Sequence, residues 1–352
     1  MRREVRVGFA FVVGVVASVF GVGCKGRFTL PPDARFVRQI AVSSTFACGR
    51  MKDGSARCWG ANDTGQLGDG TRETRRETVR VTAASQGSAI AAIAAGGSHA
   101  CALGNDGAVV CWGASESGTA TATDARAIAV GARHACAIVA EGAVHCWGAD
   151  DVGQVAGAAG VRGAVAISAA GDATCVIDGD HRVACWGGVP GRAAKDVSLA
   201  RVDGLADVTQ IALGETHACA VRAWGGVACW GKNDEGELGD GSFEDRALPV
   251  EVDEINAGAK RVAVGRRHSC ALLGNGTVRC WGANAAAQLA DGSRAHRAKP
   301  ALVQGEFDVS DLSAAGDASC VIFGDGSARC WGGLALPKTE GVPVTVPMEV
   351  RW

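Results

Sequence analysis

The chain has 352 residues, 47% hydrophobic and 20% charged, with 51 Gly, 8 Pro and no Tyr, an ordinary balance for a soluble globular protein that length alone would divide into one large domain or two to three smaller ones. Its 35 basic and 37 acidic side chains leave a formal charge of −2, so no basic excess points to a nucleic-acid partner.

The first segment stands apart from the rest. Met1 to Arg6 is a short basic head, and Val7 to Gly23 is an uncharged apolar run of 17 residues. Basic head, apolar middle and small residues before a cut read as an export signal over 1–23; a membrane anchor is the alternative, at the lower limit of spanning length. Gly23-Cys24 resembles the bacterial lipobox, although Gly21 stands where that motif carries a larger aliphatic residue. Of 15 cysteines, 14 form equally spaced pairs and Cys24 is left over. In an exported chain an odd cysteine needs an explanation, and the lipobox resemblance supplies one, lipidation of Cys24, with 24–35 as a tether. A stray cysteine inside a discarded signal is the plainer alternative.

From residue 36 onward the chain repeats. Seven stretches share the template Cys, nine residues, Cys-Trp-Gly. The pairs are Cys48 with Cys58, Cys101 with Cys111, Cys136 with Cys146, Cys175 with Cys185, Cys219 with Cys229, Cys270 with Cys280, and Cys320 with Cys330. Successive second cysteines are 53, 35, 39, 44, 51 and 50 residues apart, a period that marks a solenoid, propeller or array. Each template reads as two short apolar runs around a turn. Six carry Gly at the sixth position after the first Cys (Gly54, Gly107, Gly142, Gly225, Gly276, Gly326), where a three-residue hairpin loop needs a left-handed residue. The fourth has His181 there and Gly179 two residues earlier, so that hairpin is expected to turn differently.

A midway loop puts the two cysteines opposite each other on adjacent strands. Cross-strand Cβ atoms lie about 4.5–5.5 Å apart, close to what a disulfide needs, and each bridge would contribute about 2.5–3 kcal/mol in the chain-entropy model. Reduced thiols suit a cytosolic protein, which the export signal argues against. Zinc would call for closer pairs such as C-x2-C.

Another strand precedes each hairpin, as in 90–101, 208–219 and 260–270, and the longer repeats add one more, at 77–81, 248–252 and 299–303. Up to four short strands per repeat is the size of a propeller blade. Phe36 to Ile40 matches the second strand of this template, while 342–350 matches the first and has no hairpin after it. A blade shared by the two termini would close the ring and remove open sheet edges.

"HACAL … DG … VCWG" together with "GQLGDGT" (65–71), "GELGDGS" (236–242) and "AQLADGS" (287–293) resembles the regulator-of-chromosome-condensation repeat over about residues 36–352. The resemblance implies an all-β, seven-bladed β-propeller, and the paired cysteines look like an exported bacterial branch of that family. Repeats 2, 3 and 4 depart most, at 114–120 and 149–157 and in the shortness of repeats 3 and 4.

Candidate chemistry is sparse. His99, His134, His217 and His268 each stand two residues before a first Cys, while Phe46, Ala173 and Ala318 take that place in the other repeats. Without a symmetric ring of imidazoles, hydrogen bonding to a neighbouring strand is favoured over a metal. Asp69, Asp240, Asp234, Glu235 and Glu237 do not follow the alternating pattern of a calcium loop, which leaves turn formation and capping. Trp59, Trp112, Trp147, Trp186, Trp230, Trp281 and Trp331 read as packing residues between blades or over the bridges. No nucleophile elbow, zinc-protease helix or phosphate loop is present.

The expected protein is thus an exported, lipid-anchored propeller closed by its N- and C-terminal strands. It would need no metal or cofactor, and would work as a monomeric interaction or adhesion module at the bacterial cell envelope. Its partner would be a protein or a wall polymer, and its membrane contact the lipid on Cys24. Partner binding is expected on the loops of one face, with 114–127, 149–163, 188–207 and 242–259 as the variable segments. The family resemblance offers two further functions, inhibition of a β-lactamase-like enzyme and nucleotide exchange on a small GTPase. The first wants aromatic anchors that a chain without Tyr is poorly equipped to supply, and export argues against the second.

Overall fold

In a computed structural model, the residues described are 36–84, 88–114, 122–192, 198–255, 257–305, 307–333 and 344–352. The segments 1–23 and 24–35, with Cys24, lie outside them. Blade 1 consists of β1 (Val37–Val42), β2 (Phe46–Met51), β3 (Ala56–Gly60) and β4 (Arg75–Arg80). Blade 2 is β5 (Ile90–Gly96), β6 (His99–Gly104) and β7 (Val109–Gly113), and blade 3 is β8 (Ala127–Val130), β9 (His134–Ile138) and β10 (Val144–Gly148). Blade 4 holds β11 (Ala164–Ala170), β12 (Ala173–Asp178), β13 (Val183–Gly187) and a two-residue β14 (Ala200–Arg201). Blade 5 is β15 (Val208–Leu213), β16 (His217–Arg222), β17 (Val227–Gly231) and β18 (Arg246–Glu251). Blade 6 is β19 (Ala259–Val264), β20 (His268–Leu273), β21 (Val278–Gly282) and β22 (Arg297–Leu302). Blade 7 is β23 (Val309–Ala315), β24 (Ala318–Phe323), β25 (Ala328–Gly332) and β26 (Val344–Glu349). Every sheet is an antiparallel meander in chain order, and the architecture is a seven-bladed β-propeller.

The core is divided among seven apolar clusters, each drawn from two adjacent blades, and the one between blades 7 and 1 joins Val37, Ile40, Met51 and Trp59 to Cys320, Ile322, Ala328 and Val350. A backbone hydrogen bond repeats at the interfaces as well. At five interfaces the first inner-strand residue donates its N–H to the carbonyl of the preceding hairpin's turn residue, as in Ile90 to Gly54, Ala259 to Gly225 and Val309 to Gly276. Ala125 to Gly107 and Gly163 to Glu141 make the bond one or two residues before β8 and β11.

Closure is made in that way and not by a shared blade. β1 belongs to a complete first blade and β26 to a complete seventh, and the termini do not pair as strands. Instead Val37 N–H donates to Gly326 O at 3.0 Å, which is the ordinary interblade contact. Trp352 then lies across blade 1, edge-on to Trp59 with ring centroids 5.3 Å apart. A Cβ on Gly49 would come within 2.4 Å of its ring, so only glycine leaves room for it, and Thr78 Oγ1 donates to Arg351 O at 3.0 Å.

The same correction moves the strands at 77–81, 248–252 and 299–303. They do not open the following repeat. They are β4, β18 and β22, the outermost strands of the blades they follow. Pro249 and Pro300 sit within them, and proline, lacking an N–H for the ladder, belongs at a sheet edge.

The fourth hairpin does not turn differently either. His181 takes φ 59°, and the six glycines at its position lie between 68° and 85°. His181 N–H donates to Asp178 O as Gly54 N–H does to Met51 O. The ring offsets part of the left-handed strain by placing Nδ1 3.2 Å from Val208 O.

Candidate interaction face

The connections from a third strand emerge on the face where the inner strands end, and in blades 1, 5 and 6 their conformation is built around one buried asparagine. Asn62 Oδ1 accepts the N–H of Leu67, and Asn62 Nδ2 donates to Asp69 and to the carbonyl of Thr71. Asn233 and Asn284 repeat this with Leu238 and Leu289. Asp150 does part of it in blade 3, accepting from Val155 and Ala156. These four residues stand four places after the second cysteine, a regularity that sequence reasoning passed over in favour of the acids.

The acids themselves are loop holders. Asp69 Oδ1 accepts the N–H and the hydroxyl of Thr71, and Asp240 and Asp291 treat Ser242 and Ser293 alike. Burial works against their charge, but these hydrogen bonds, with Arg75, Arg246 and Arg297 at 3.0–3.4 Å, hold all three carboxyls below their ordinary range. Glu235 meets Arg267 and His296, while Glu237 is buried and accepts the Glu235 N–H. Burial first, then the nearby Asp234 and Glu235 charges, raise the Glu237 carboxyl above its usual range. Among the described residues no three His, Cys, Asp or Glu side chains converge as metal ligands.

Each loop also anchors the next blade. Trp112, Trp186, Trp281 and Trp331 donate their indole N–H at 2.7–2.9 Å to the carbonyls of Gln66, Gln154, Glu237 and Gln288, one blade earlier. The rings of Trp59, Trp186, Trp230, Trp281 and Trp331 are at most 1% exposed.

The histidines form a second interblade bond. His134, His217 and His268 are buried, and their Nε2 atoms lie 2.7–2.8 Å from Thr174 Oγ1, Ser269 Oγ and Ser319 Oγ of the following blades. Ser269 donates its own proton to Glu237 O at 3.1 Å, so His217 is the donor through Nε2. Its Nδ1, like those of His134 and His268, is buried without a partner among the described residues. Burial lowers all three imidazoles, His217 to about 3 and His134 and His268 to about 4. They are neutral structural ties.

A cleft of about 680 Å³ opens on this face beside blade 4. Blade 4 has no buried asparagine loop, and Asp172, Pro190, Arg192, Glu215, Thr216 and Lys232 line the space left. At the mouth of the axial channel Arg266 Nε lies 3.4 Å from Glu215, among alanines and glycines. Phe243, 56% exposed on the blade 5 loop, falls in the variable segment 242–259.

All seven cysteine pairs face each other in register and are joined as disulfides, with Cα atoms 4.0–4.1 Å apart. In blade order the bridges join Cys48 to Cys58, Cys101 to Cys111, Cys136 to Cys146 and Cys175 to Cys185. Cys219 is joined to Cys229, Cys270 to Cys280 and Cys320 to Cys330 in the last three blades. They are not equally covered. Cys111 is half-buried and Cys146 is 5% exposed, whereas the second cysteines of the other blades (Cys58, Cys185, Cys229, Cys280 and Cys330) are fully buried, as are their partners. Under limiting reductant in the native state, alkylation and peptide mapping should find Cys101–Cys111 and Cys136–Cys146 opened first, because exchange needs access to sulfur. Equal labelling of all seven pairs would contradict this order.

The repeats have counterparts. One model of the regulator of chromosome condensation (RCC1) repeat matches residues 37–66, 90–119, 125–154, 208–237 and 259–288, and a second model of that repeat matches 53–103 and 225–272. The E3 ubiquitin-protein ligase HERC2 of Homo sapiens is 30% identical over 282 residues, 76% of this chain, although the chain spans only 5% of that protein's length. The ultraviolet-B receptor UVR8 of Arabidopsis thaliana is 35% identical over 97 residues, 27% of this chain and 22% of the receptor. Among solved structures, human WBSCR16 superposes with a TM-score of 0.69 at 19% identity, covering 80% of this chain and 84% of that one. Prp20p from Saccharomyces cerevisiae, described with its binding to Gsp1p and histones, gives 0.56 at 19% identity over 90% of this chain and 77% of its own. With the repeat matched across more than half of its residues and the propeller shared with these structures, the chain belongs to the RCC1-repeat family.

Proposed function

We propose that this chain is an exported, lipid-tethered interaction module of the bacterial cell envelope, binding a protein or a wall polymer on its loop face without catalysing a reaction on it. The observation that carries the reading is the cysteine inventory: 14 of 15 cysteines are paired across hairpins, and the remaining one, Cys24, follows an export-type apolar run. Fourteen cysteines committed to bridges suit an oxidising compartment and are unavailable as nucleophiles. Residues 1–23 act as the signal, 24–35 as the tether, and the propeller works as a monomer.

The loop face supports a binding role because its conformation is fixed from within. Buried asparagines, capped aspartates and interblade indole bonds hold the loops whether or not a partner is present, and preorganisation of this kind lowers the cost of association. The binding of Gsp1p and histones described for Prp20p makes a protein the first class of partner to seek.

Metabolic labelling with a radioactive fatty acid, followed by affinity capture from envelope extracts on the intact protein, tests both halves. Label is expected on the wild type and absent from Cys24→Ser; label surviving that substitution removes the lipid tether. Stoichiometric recovery of an envelope component is expected, and its loss on Phe243→Asp would place it on the loop face. Recovery of a hydrolase that loses activity when bound would replace this reading with the inhibitor.

A further inference from the structure

Blades 1, 5, 6 and 7 carry a six-residue outer strand in one register, with Val79, Val250, Ala301 and Met348 opposite the second cysteines Cys58, Cys229, Cys280 and Cys330. Among the described residues blade 3 has three strands. Residues 149–163 are all described and hold only a short 3-10 turn, Ala156–Ala158, before running straight to β11. We propose that the open outer edge of β10 is a docking site for an extended segment of a partner polypeptide, which completes blade 3 as its fourth strand.

The backbone of β10 is set for this. Cys146 faces Cys136 with Cα atoms 4.0 Å apart, the close, non-hydrogen-bonded pair of an antiparallel ladder, so the N–H and C=O of Cys146 point away from β9 towards the open side. The corresponding carbonyl in blade 4 shows what it needs. There the outer strand is only two residues long, and Arg192 Nη1 donates to Cys185 O at 3.1 Å. No such donor reaches Cys146 O among the described residues.

The side chains agree. β17 is buried at all five positions under its outer strand. In β10, His145 and Gly148 are exposed and Val144 and Trp147 half-buried. Outermost strands of this chain carry charge or proline, Arg76 and Arg80 in β4, Pro249 in β18, Lys299 and Pro300 in β22, the usual protection of a sheet edge. Val-His-Cys-Trp-Gly carries neither proline nor lysine nor arginine; Cys146 itself is buried in one cluster with Ala158 and Val161, while the residues on either side of it read as an interior strand without its outer neighbour.

The complete blades also state the chemistry of the occupant. Opposite the cysteine stands a small or medium apolar residue, preceded by Thr78, Pro249, Pro300 or Pro347. The residue paired with the position of His145 is Arg80, Glu251, Leu302 or Glu349, the last of them facing Arg329. An extended Pro-apolar-acidic segment fits, with main-chain hydrogen bonds supplying affinity and the cysteine-facing pocket selecting the side chain. The site rests on the reading of this chain as an interaction module, but it is an edge and not the loop face.

The test uses the intact protein and a capped heptapeptide, Arg-Ala-Leu-Pro-Val-Glu-Val, the sequence of residues 246–252. Saturable binding should slow amide exchange at Cys146 about tenfold or more. A peptide N-methylated at the valine opposite Cys146 should produce no slowing. Residues 240–251 inserted between Ala156 and Val161 should fill the edge and abolish binding while cooperative unfolding is kept. Unchanged exchange at saturating peptide, or equal effects of the methylated peptide, would overturn the proposal. So would a dimer, seen by ultracentrifugation, that the filled variant loses, since the edge would then belong to a second copy. Failure here leaves the loop-face capture untouched, and failure of that capture leaves the peptide result standing.

Discussion

Replacing Trp281 by alanine is expected to destabilise the propeller by about 4 kcal/mol. Trp281 is fully buried among Cys219, Leu238, Val252 and Val262, and its indole N–H donates to Glu237 O at 2.8 Å across the interface of blades 5 and 6. Alanine removes the ring and leaves a buried carbonyl with less than its full set of donors. Trp281→Phe keeps most of the apolar volume and loses the N–H, and should cost about 1–2 kcal/mol. Trp147 provides the internal comparison. Its ring is half-buried, and its Nε1 has no partner among the described residues, so Trp147→Ala should cost about half as much as Trp281→Ala. Urea unfolding of the three variants checks the series. Equal losses at the two tryptophans would contradict this series, and no loss in Trp281→Phe would mean that the interblade indole bond contributes nothing.

These interblade bonds mark the boundary of what the sequence discloses. Hairpins are local, so the glycine of six turns and the spacing of ten between cysteines were enough to give strands, register and opposing sulfurs. Which blade an outer strand joins is not local. A cyclic repeat reads the same wherever the cut is placed, and the strand at 77–81 fits equally before 90 or after 60. Pro249 and Pro300, with the charges of Arg76, Arg80 and Lys299, carry the edge information that answers it.

His181 misled for a different reason. Its identity departs from glycine, yet the backbone of the turn is imposed by the two strands and takes φ 59° regardless. The histidine ties could have been found by aligning each repeat with the next. His134, His217 and His268 are matched by Thr174, Ser269 and Ser319 in the following repeat, whereas Ala173 and Ala318 are matched by Ala218 and Ala47. His99, followed by Ala135, is the exception. The candidate interaction face was legible only as the loops where repeats differ. The cleft at blade 4 and the bare edge of blade 3 go with the shortness of repeats 3 and 4, and their location depends on what the neighbouring blades do around them.

The same three histidines should make the fold acid-labile well above the range in which carboxylates fail. Their imidazoles are depressed in the folded state from 6.5 to about 4, 3 and 4 for His134, His217 and His268, because protonation would place a charge where burial removes its hydration. A depressed group contributes stability that is complete above its unfolded value and is lost as pH falls through the folded one. The window is therefore pH 6.5 to about 4, in which the unfolded chain binds up to three protons that the propeller refuses. Between about pH 7 and pH 5 the loss should be about 2 kcal/mol per histidine. Glu237 and Asp311 act in the opposite sense. Burial raises both carboxyls, partly offset at Asp311 by Arg261 at 2.7 Å, so the folded state takes up their protons early and the net slope falls below the three-histidine figure. Glutamine places an amide donor near the position of Nε2 and does not titrate. The triple variant His134→Gln, His217→Gln, His268→Gln should therefore keep the ties to Thr174, Ser269 and Ser319 while flattening the dependence of unfolding free energy on pH across this window. A variant as acid-sensitive as the wild type would show that the histidines are not held neutral. Selective loss of the slope in the variant would tie the acid limit of the propeller to three buried bonds between its blades.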